Sequence, residues 1–96
     1  MSELKIIATI LVKPEYEEEI KKAMYIVVEE TRKEEGNISY DLYQNSKESL
    51  KYTFIEVWKS QEDIFAHNNS LHFKNFMKFL EGKYDHLEID VVKKIY

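Results

Sequence analysis

Lys51–Lys59 reads KYTFIEVWK. Tyr52, Phe54, Glu56 and Trp58 alternate with Thr53, Ile55 and Val57, so an extended chain presents them on opposite faces. Both rows are mostly apolar, and the run is rich in β-branched and aromatic residues, which marks a strand inside a sheet. One carboxylate, Glu56, interrupts one row between Phe54 and Trp58. Just upstream, NISYDLYQ (Asn37–Gln44) places Ile38, Tyr40 and Leu42 on one side and Ser39, Asp41 and Tyr43 on the other. The polar NSKES between the two runs makes them a β-hairpin.

Working outward, LKIIATILV (Leu4–Val12) is a strand, with Leu4, Ile6, Ala8, Ile10 and Val12 on one face and Ile7, Thr9 and Leu11 on the other. Pro14 suits the first turn of a helix, and Glu15, Glu17, Glu18 and Glu19 suit its positive end. Ile20, Ala23, Met24, Val27, Val28 and Thr31 then recur at helical spacing. Gly36 is expected to end this helix as a left-handed cap. Ser60 and Asp63 are spaced to open a second helix, and Ser70 to recap it after Asn68-Asn69. Gly82 ends that piece, and Leu87–Ile95 closes the chain as a strand, with His86 in the loop before it. The order β-α-β-β-α-β predicts an α+β fold: a ferredoxin-like antiparallel sheet with both helices on one face.

Such helices cover only one side of a sheet. The first and third strands are apolar on both, so the uncovered face is expected to pack against a second copy about a two-fold axis. Ninety-six residues make one domain, 1–96. With no cysteine there are no disulfides, thiolate nucleophiles or thiolate-bound metals. A formal charge of −4 argues against nucleic acid as a partner. No apolar run reaches the roughly 20 residues of a membrane span. The start MSELKIIATILVK shows no signal-peptide pattern, so a cytoplasmic protein is expected.

Glu56 is the first candidate for chemistry. A carboxylate between aromatic rings is desolvated, which raises its pKa toward the range useful for proton transfer; it could equally be a structural acid held by a neighbour. His67 follows Ala66 in the second helical region and could pair with Glu56 as acid and base, or be a core histidine held by one hydrogen bond. His72 sits just past the Ser70 cap, where it could tie down the helix start. His67 and His72 are five residues apart across a helix break, not the four of a helical metal pair, so no metal is expected. The stripe Phe73, Phe76, Phe79 reads as core. No glycine-rich phosphate loop, nucleophile elbow or dinucleotide fingerprint is present, so no nucleotide or flavin cofactor is expected.

Glu34-Glu35-Gly36-Asn37, the Tyr40-Asp41-Leu42 strand, Glu56-Val57-Trp58, Ala66-His67 and Ser70-Leu71-His72-Phe73 occur in that order. Together they resemble the antibiotic biosynthesis monooxygenase family, which includes small quinol monooxygenases and an autoinducer-phosphate isomerase. The resemblance spans nearly the whole chain. It implies a dimeric α+β barrel, in which two ferredoxin-like sheets meet and each subunit keeps a pocket between sheet and helices. It also implies oxygenation by O₂ without metal or flavin, because a deprotonated quinol or polyphenol can itself reduce O₂. His67 or Glu56 would be the base. Trp58, Phe54 and Tyr40 would wall a flat ring, with His72 and Asn37 completing the substrate-binding set. Leu71 departs from the proline that many relatives carry there. The haem-degrading branch needs an asparagine and a histidine where this chain has Ile7 and Met77, so haem degradation is not expected. Two rival functions are an isomerase of a small phosphorylated carbonyl compound, with Lys22, Arg32 and Lys59 as the nearest cations, and a non-catalytic dimeric ligand binder.

Overall fold

A computed structural model describes residues 3–96. Its elements are β1 (Leu4–Val12), a 3₁₀ turn (Pro14–Tyr16), α1 (Glu17–Thr31), β2 (Asn37–Gln44), β3 (Lys51–Trp58), α2 (Gln61–Asn68), α3 (Leu71–Leu80) and β4 (Tyr84–Val92). The four strands form one antiparallel sheet in the order β2-β3-β1-β4, as in ferredoxin-like folds. No described helix is long and apolar enough to cross a membrane.

Register explains which side chains meet. Ile6, Ala8 and Ile10 stand opposite Glu56, Phe54 and Tyr52 of β3, and opposite Val91, Ile89 and Leu87 of β4. Tyr40 of β2 stands opposite Glu56 on its other side. This is the helix-facing row, and the α1 residues Ile20, Met24, Val27 and Val28 pack into the core with it. On the reverse face one row runs Asp41, Ile55, Ile7, Asp90 across all four strands. That row is apolar at its centre and acidic at its two ends.

The local signals act as the residue types require. Asp63 donates its backbone N–H to Ser60 Oγ (3.2 Å), and Phe73 donates to Ser70 Oγ (3.2 Å), so each serine caps its helix. The segment between them breaks the second helical region into α2 and α3. Gly82 takes φ +77° just past α3, a conformation costly for any residue with a Cβ.

Four expectations need correction. Gly36 is not a left-handed cap, since Gly82 is the one glycine with positive φ. Gly36 is required by close approach instead: a Cβ there would overlap the Cβ and carboxyl carbon of Asp63. Ile38 does not join Tyr40 in the core. The β2–β3 register shifts between Asn37 and Ser39, and the bulge leaves Ile38 47% exposed. β4 begins at Tyr84 and ends at Val92, because Val12 pairs with Tyr84 and Lys5 with Val92. His86 is therefore a residue of β4, opposite Leu11, and not of a loop.

The two glycines should respond differently to alanine. G36A is expected to cost about 3 kcal/mol, because backbone or the Asp63 cap must move. G82A, in open space, should cost only the left-handed strain of about 1–2 kcal/mol. Urea unfolding followed by the fluorescence of the single tryptophan, Trp58, measures both. Equal losses would contradict the close-approach reading of Gly36.

Candidate active site

A cavity of about 50 Å³ lies between the helix-facing row of the sheet and α2–α3. Its wall is apolar except for Glu56, His67, Asn68 and Tyr40, and no lysine or arginine lines it. Each polar group arrives from a different element. β3 supplies Glu56 because the alternation that buries Phe54 and Trp58 buries position 56 too. The last turn of α2 supplies His67, which is 2% exposed. β2 supplies Tyr40 through its pairing with Glu56.

Glu56 and His67 line the same cavity but take different partners. The indole N–H of Trp58 donates to Glu56 Oε1 at 3.0 Å. Burial pushes the Glu56 carboxyl up to about 7, with the Trp58 hydrogen bond opposing and the Glu34 charge reinforcing the rise. Burial and the Glu56 charge also push the Tyr40 phenol well above its ordinary range, which keeps it protonated.

His67 is held by Glu34, in the turn between α1 and β2. Nδ1 of His67 and Nε2 of His72 each lie 2.7 Å from the same oxygen, Glu34 Oε2. A carboxylate accepts and cannot donate, so each nitrogen carries the proton in its bond. Burial lowers the pKa of His67, with Glu34 opposing, which favours the neutral ring. A neutral ring with its proton on Nδ1 has a bare lone pair on Nε2. That Nε2 is buried and has no hydrogen-bond partner. The ring is gripped by aromatic neighbours, Trp58 and Phe73 at 4.7 Å between centroids and Tyr40 at 5.6 Å. The arrangement is a fixed, dehydrated base beside an apolar chamber.

The remaining candidates are placed elsewhere. Phe54 and Tyr40 wall the cavity, whereas Trp58 is fully buried behind Glu56 and positions it. His72 sits beyond Glu34 and lines a surface groove with Ile26 and Phe79. Asn37 ties the β2 bulge through its Nδ2, donating to Ser39 O (3.0 Å) and Val57 O (3.4 Å). Two members of the Phe73, Phe76, Phe79 stripe, Phe73 and Phe76, line the cavity as well as packing. Sequence reasoning did not single out Glu34 as a site residue. It lies among charges in a turn, and its partners are 33 and 38 residues away. Glu34, His67 and His72 are also the described residues whose donor atoms converge enough to meet a cation, all within 4.8 Å.

The profile of the antibiotic biosynthesis monooxygenase family matches residues 4–78, from β1 into α3. The chain belongs to that family. The Bacillus subtilis (strain 168) protein YcnE is 37% identical over 70 residues, which is 73% of this chain and 74% of YcnE. A conserved protein from Methanosarcina mazei Go1 superposes with a TM-score of 0.93 at 33% identity, covering 99% of this chain and 95% of its own. A Pseudomonas aeruginosa protein gives the same TM-score, 0.93, at 28% identity, covering 100% of this chain and 97% of its own. These superpositions include β4, which lies beyond the family profile. The resemblance read from Glu34-Glu35-Gly36-Asn37 through Ser70-Leu71-His72-Phe73 is thus a family membership.

The raised Glu56 makes a signed prediction. The unfolded carboxyl ionises near the ordinary 4.5 and the folded one only at about 7. Between those values the folded chain holds a proton that the unfolded chain has released, so this contribution is full below 4.5 and is lost as pH rises through 7. E56Q keeps an acceptor for Trp58 and removes the titration. Its stability relative to wild type should rise by about 3 kcal/mol between acid and mildly alkaline pH. Urea unfolding at a series of pH values reads the difference, and a flat difference contradicts it.

Proposed function

We propose that the protein is a cofactor-independent monooxygenase that oxidises a quinol-like or polyphenolic small molecule with O₂, working as a homodimer. One observation carries the reading: His67 lines an apolar chamber and keeps a buried, unpartnered Nε2, while its Nδ1 donates to Glu34. His67 Nε2 takes a proton from a substrate hydroxyl. The resulting anion is electron-rich enough to supply the electrons for O₂. One oxygen atom enters the ring, and the other leaves as water with two hydrogens drawn from the substrate. The protein supplies base, orientation and exclusion of water. Phe54 and Tyr40 offer faces for a flat ring, and Glu56 is the second proton-transfer group.

At about 50 Å³ the cavity is far below the 300–1,000 Å³ of ordinary ligand pockets, so it admits a ring only by widening. Asn68 and Ile89 are exposed residues of the lining and mark its mouth; Met77 beside them is flexible enough to yield. The lining does not favour a phosphorylated substrate. Lys22, Arg32 and Lys59 all lie outside it, and Arg32 is committed to Tyr40 O and Asp41. Glu56 would repel the phosphate once ionised.

The reverse face of the sheet supports the homodimer. Ile7 and Ile55 pair at the centre of that face, with Val57 and Leu11 along the strands, beside the Thr9–Thr53, Lys5–Val57 and Leu11–Lys51 pairs, and with Asp41 on one edge strand and Glu88 and Asp90 on the other, which suits an interface with an apolar middle and a polar rim.

Oxygen uptake with a quinol, measured on the metal-free protein, tests the activity. Wild type should consume O₂ above the uncatalysed rate, and H67A should slow consumption at least roughly tenfold. Unchanged turnover in H67A would remove His67 from the chemistry, and no uptake by wild type would refute the oxygenase reading. Sedimentation equilibrium tests the dimer: twice the 11.6 kDa chain mass is expected, and a folded 11.6 kDa particle would refute it.

A further inference from the structure

We propose that Glu34, His67 and His72 form a site for a borderline divalent cation such as Zn²⁺, and that occupying it switches the His67 base off. Three separate elements converge there: the α1–β2 turn, the end of α2 and the first turn of α3. Their donor atoms, two imidazole nitrogens and one carboxylate oxygen, lie within 4.8 Å of one another. Two nitrogens and one oxygen suit zinc and its first-row neighbours, and do not suit magnesium or calcium, which take oxygen donors. Three protein ligands leave a fourth position open.

The geometry needs only a small adjustment. Ligand atoms around a tetrahedral ion with bonds of ~2.0–2.1 Å stand about 3.3 Å apart. Here Glu34 Oε2 is 2.7 Å from each nitrogen and draws back as the ion replaces the two shared protons, while the two nitrogens, within 4.8 Å of one another, settle to the same spacing. Glu34 and His72 have that freedom, with side chains 18% and 22% exposed, whereas His67 is fixed at 2%. A route in exists as well, since His72 lines the surface groove between α1 and α3.

The consequence follows from proton accounting. In the hydrogen-bonded state His67 has its proton on Nδ1 and a lone pair on Nε2. A cation on Nδ1 displaces the proton there and takes the lone pair this frees, and the neutral ring then carries its single proton on Nε2. The buried Nε2 changes from acceptor to donor, with no net proton uptake by the ring. This inhibitory half rests on His67 being the base; the binding half does not.

The test is calorimetric titration of metal-stripped full-length protein with Zn²⁺, beside the same titration of E34Q and H72F, whose folding is checked by Trp58 fluorescence. The expected result is one ion per chain for wild type and at least tenfold weaker binding in each variant. ¹⁵N spectra of the wild-type histidines should show the His67 proton moving from Nδ1 to Nε2 on titration, a readout that needs no substrate and no variant. No saturable uptake by wild type, or uptake that neither variant weakens, overturns the site. Oxygen uptake that Zn²⁺ leaves unchanged overturns the inhibition alone, and the metal-free rate separately decides the oxygenase reading.

Discussion

One carboxylate oxygen organises the helix-covered half of this molecule. Glu34 Oε2 receives hydrogen bonds from two imidazoles at 2.7 Å each. Because it can only accept, it dictates where the His67 proton sits, and so which nitrogen is left without a partner. Without Glu34 the ring would be a buried polar group free to choose either tautomer. With it, the desolvation that lowers the His67 pKa is balanced against a fixed partner, and the lone pair stays on the buried Nε2. Phe73, Trp58 and Tyr40 hold the ring from its other sides, so proton position and ring orientation are set together.

The sheet performs the complementary task. Strand alternation places Glu56 between Phe54 and Trp58, and the neighbouring strands place Ile6 and Tyr40 against it. The result is an acid at about 7, poised to hold or release a proton near neutrality. It destabilises the fold when ionised, which makes it a costly residue to keep for packing alone. The helix side of the sheet thus holds two titratable groups, Glu56 and His67, in a chamber with no lysine or arginine in its lining. On the reverse side Ile7 and Ile55 pair at the centre between Asp41 and Asp90.

Much of this was legible in the sequence. β-Branched and aromatic richness located the strands at Leu4–Val12 and Lys51–Lys59, and alternation the one at Asn37–Gln44, because both are local properties of the chain. Ser60 and Ser70 announced their helices for the same reason: capping acts within one turn. What depends on distant contacts was not legible. Gly36 looked like a helix stop, but its reason is Asp63, 27 positions later in the chain. Ile38 followed the alternation until a bulge turned it outward. Glu56 and His67 were identifiable by type, whereas their actual partners, Trp58 and Glu34, were not. Glu34 in particular stood in a charged turn, where a carboxylate ordinarily faces water.

The most direct measurement of the central claim is ¹⁵N NMR of the His67 imidazole in metal-free protein at neutral pH. The account predicts a neutral ring with its proton on Nδ1 and a bare Nε2. A proton on Nε2, or a ring that exchanges between tautomers, would contradict it.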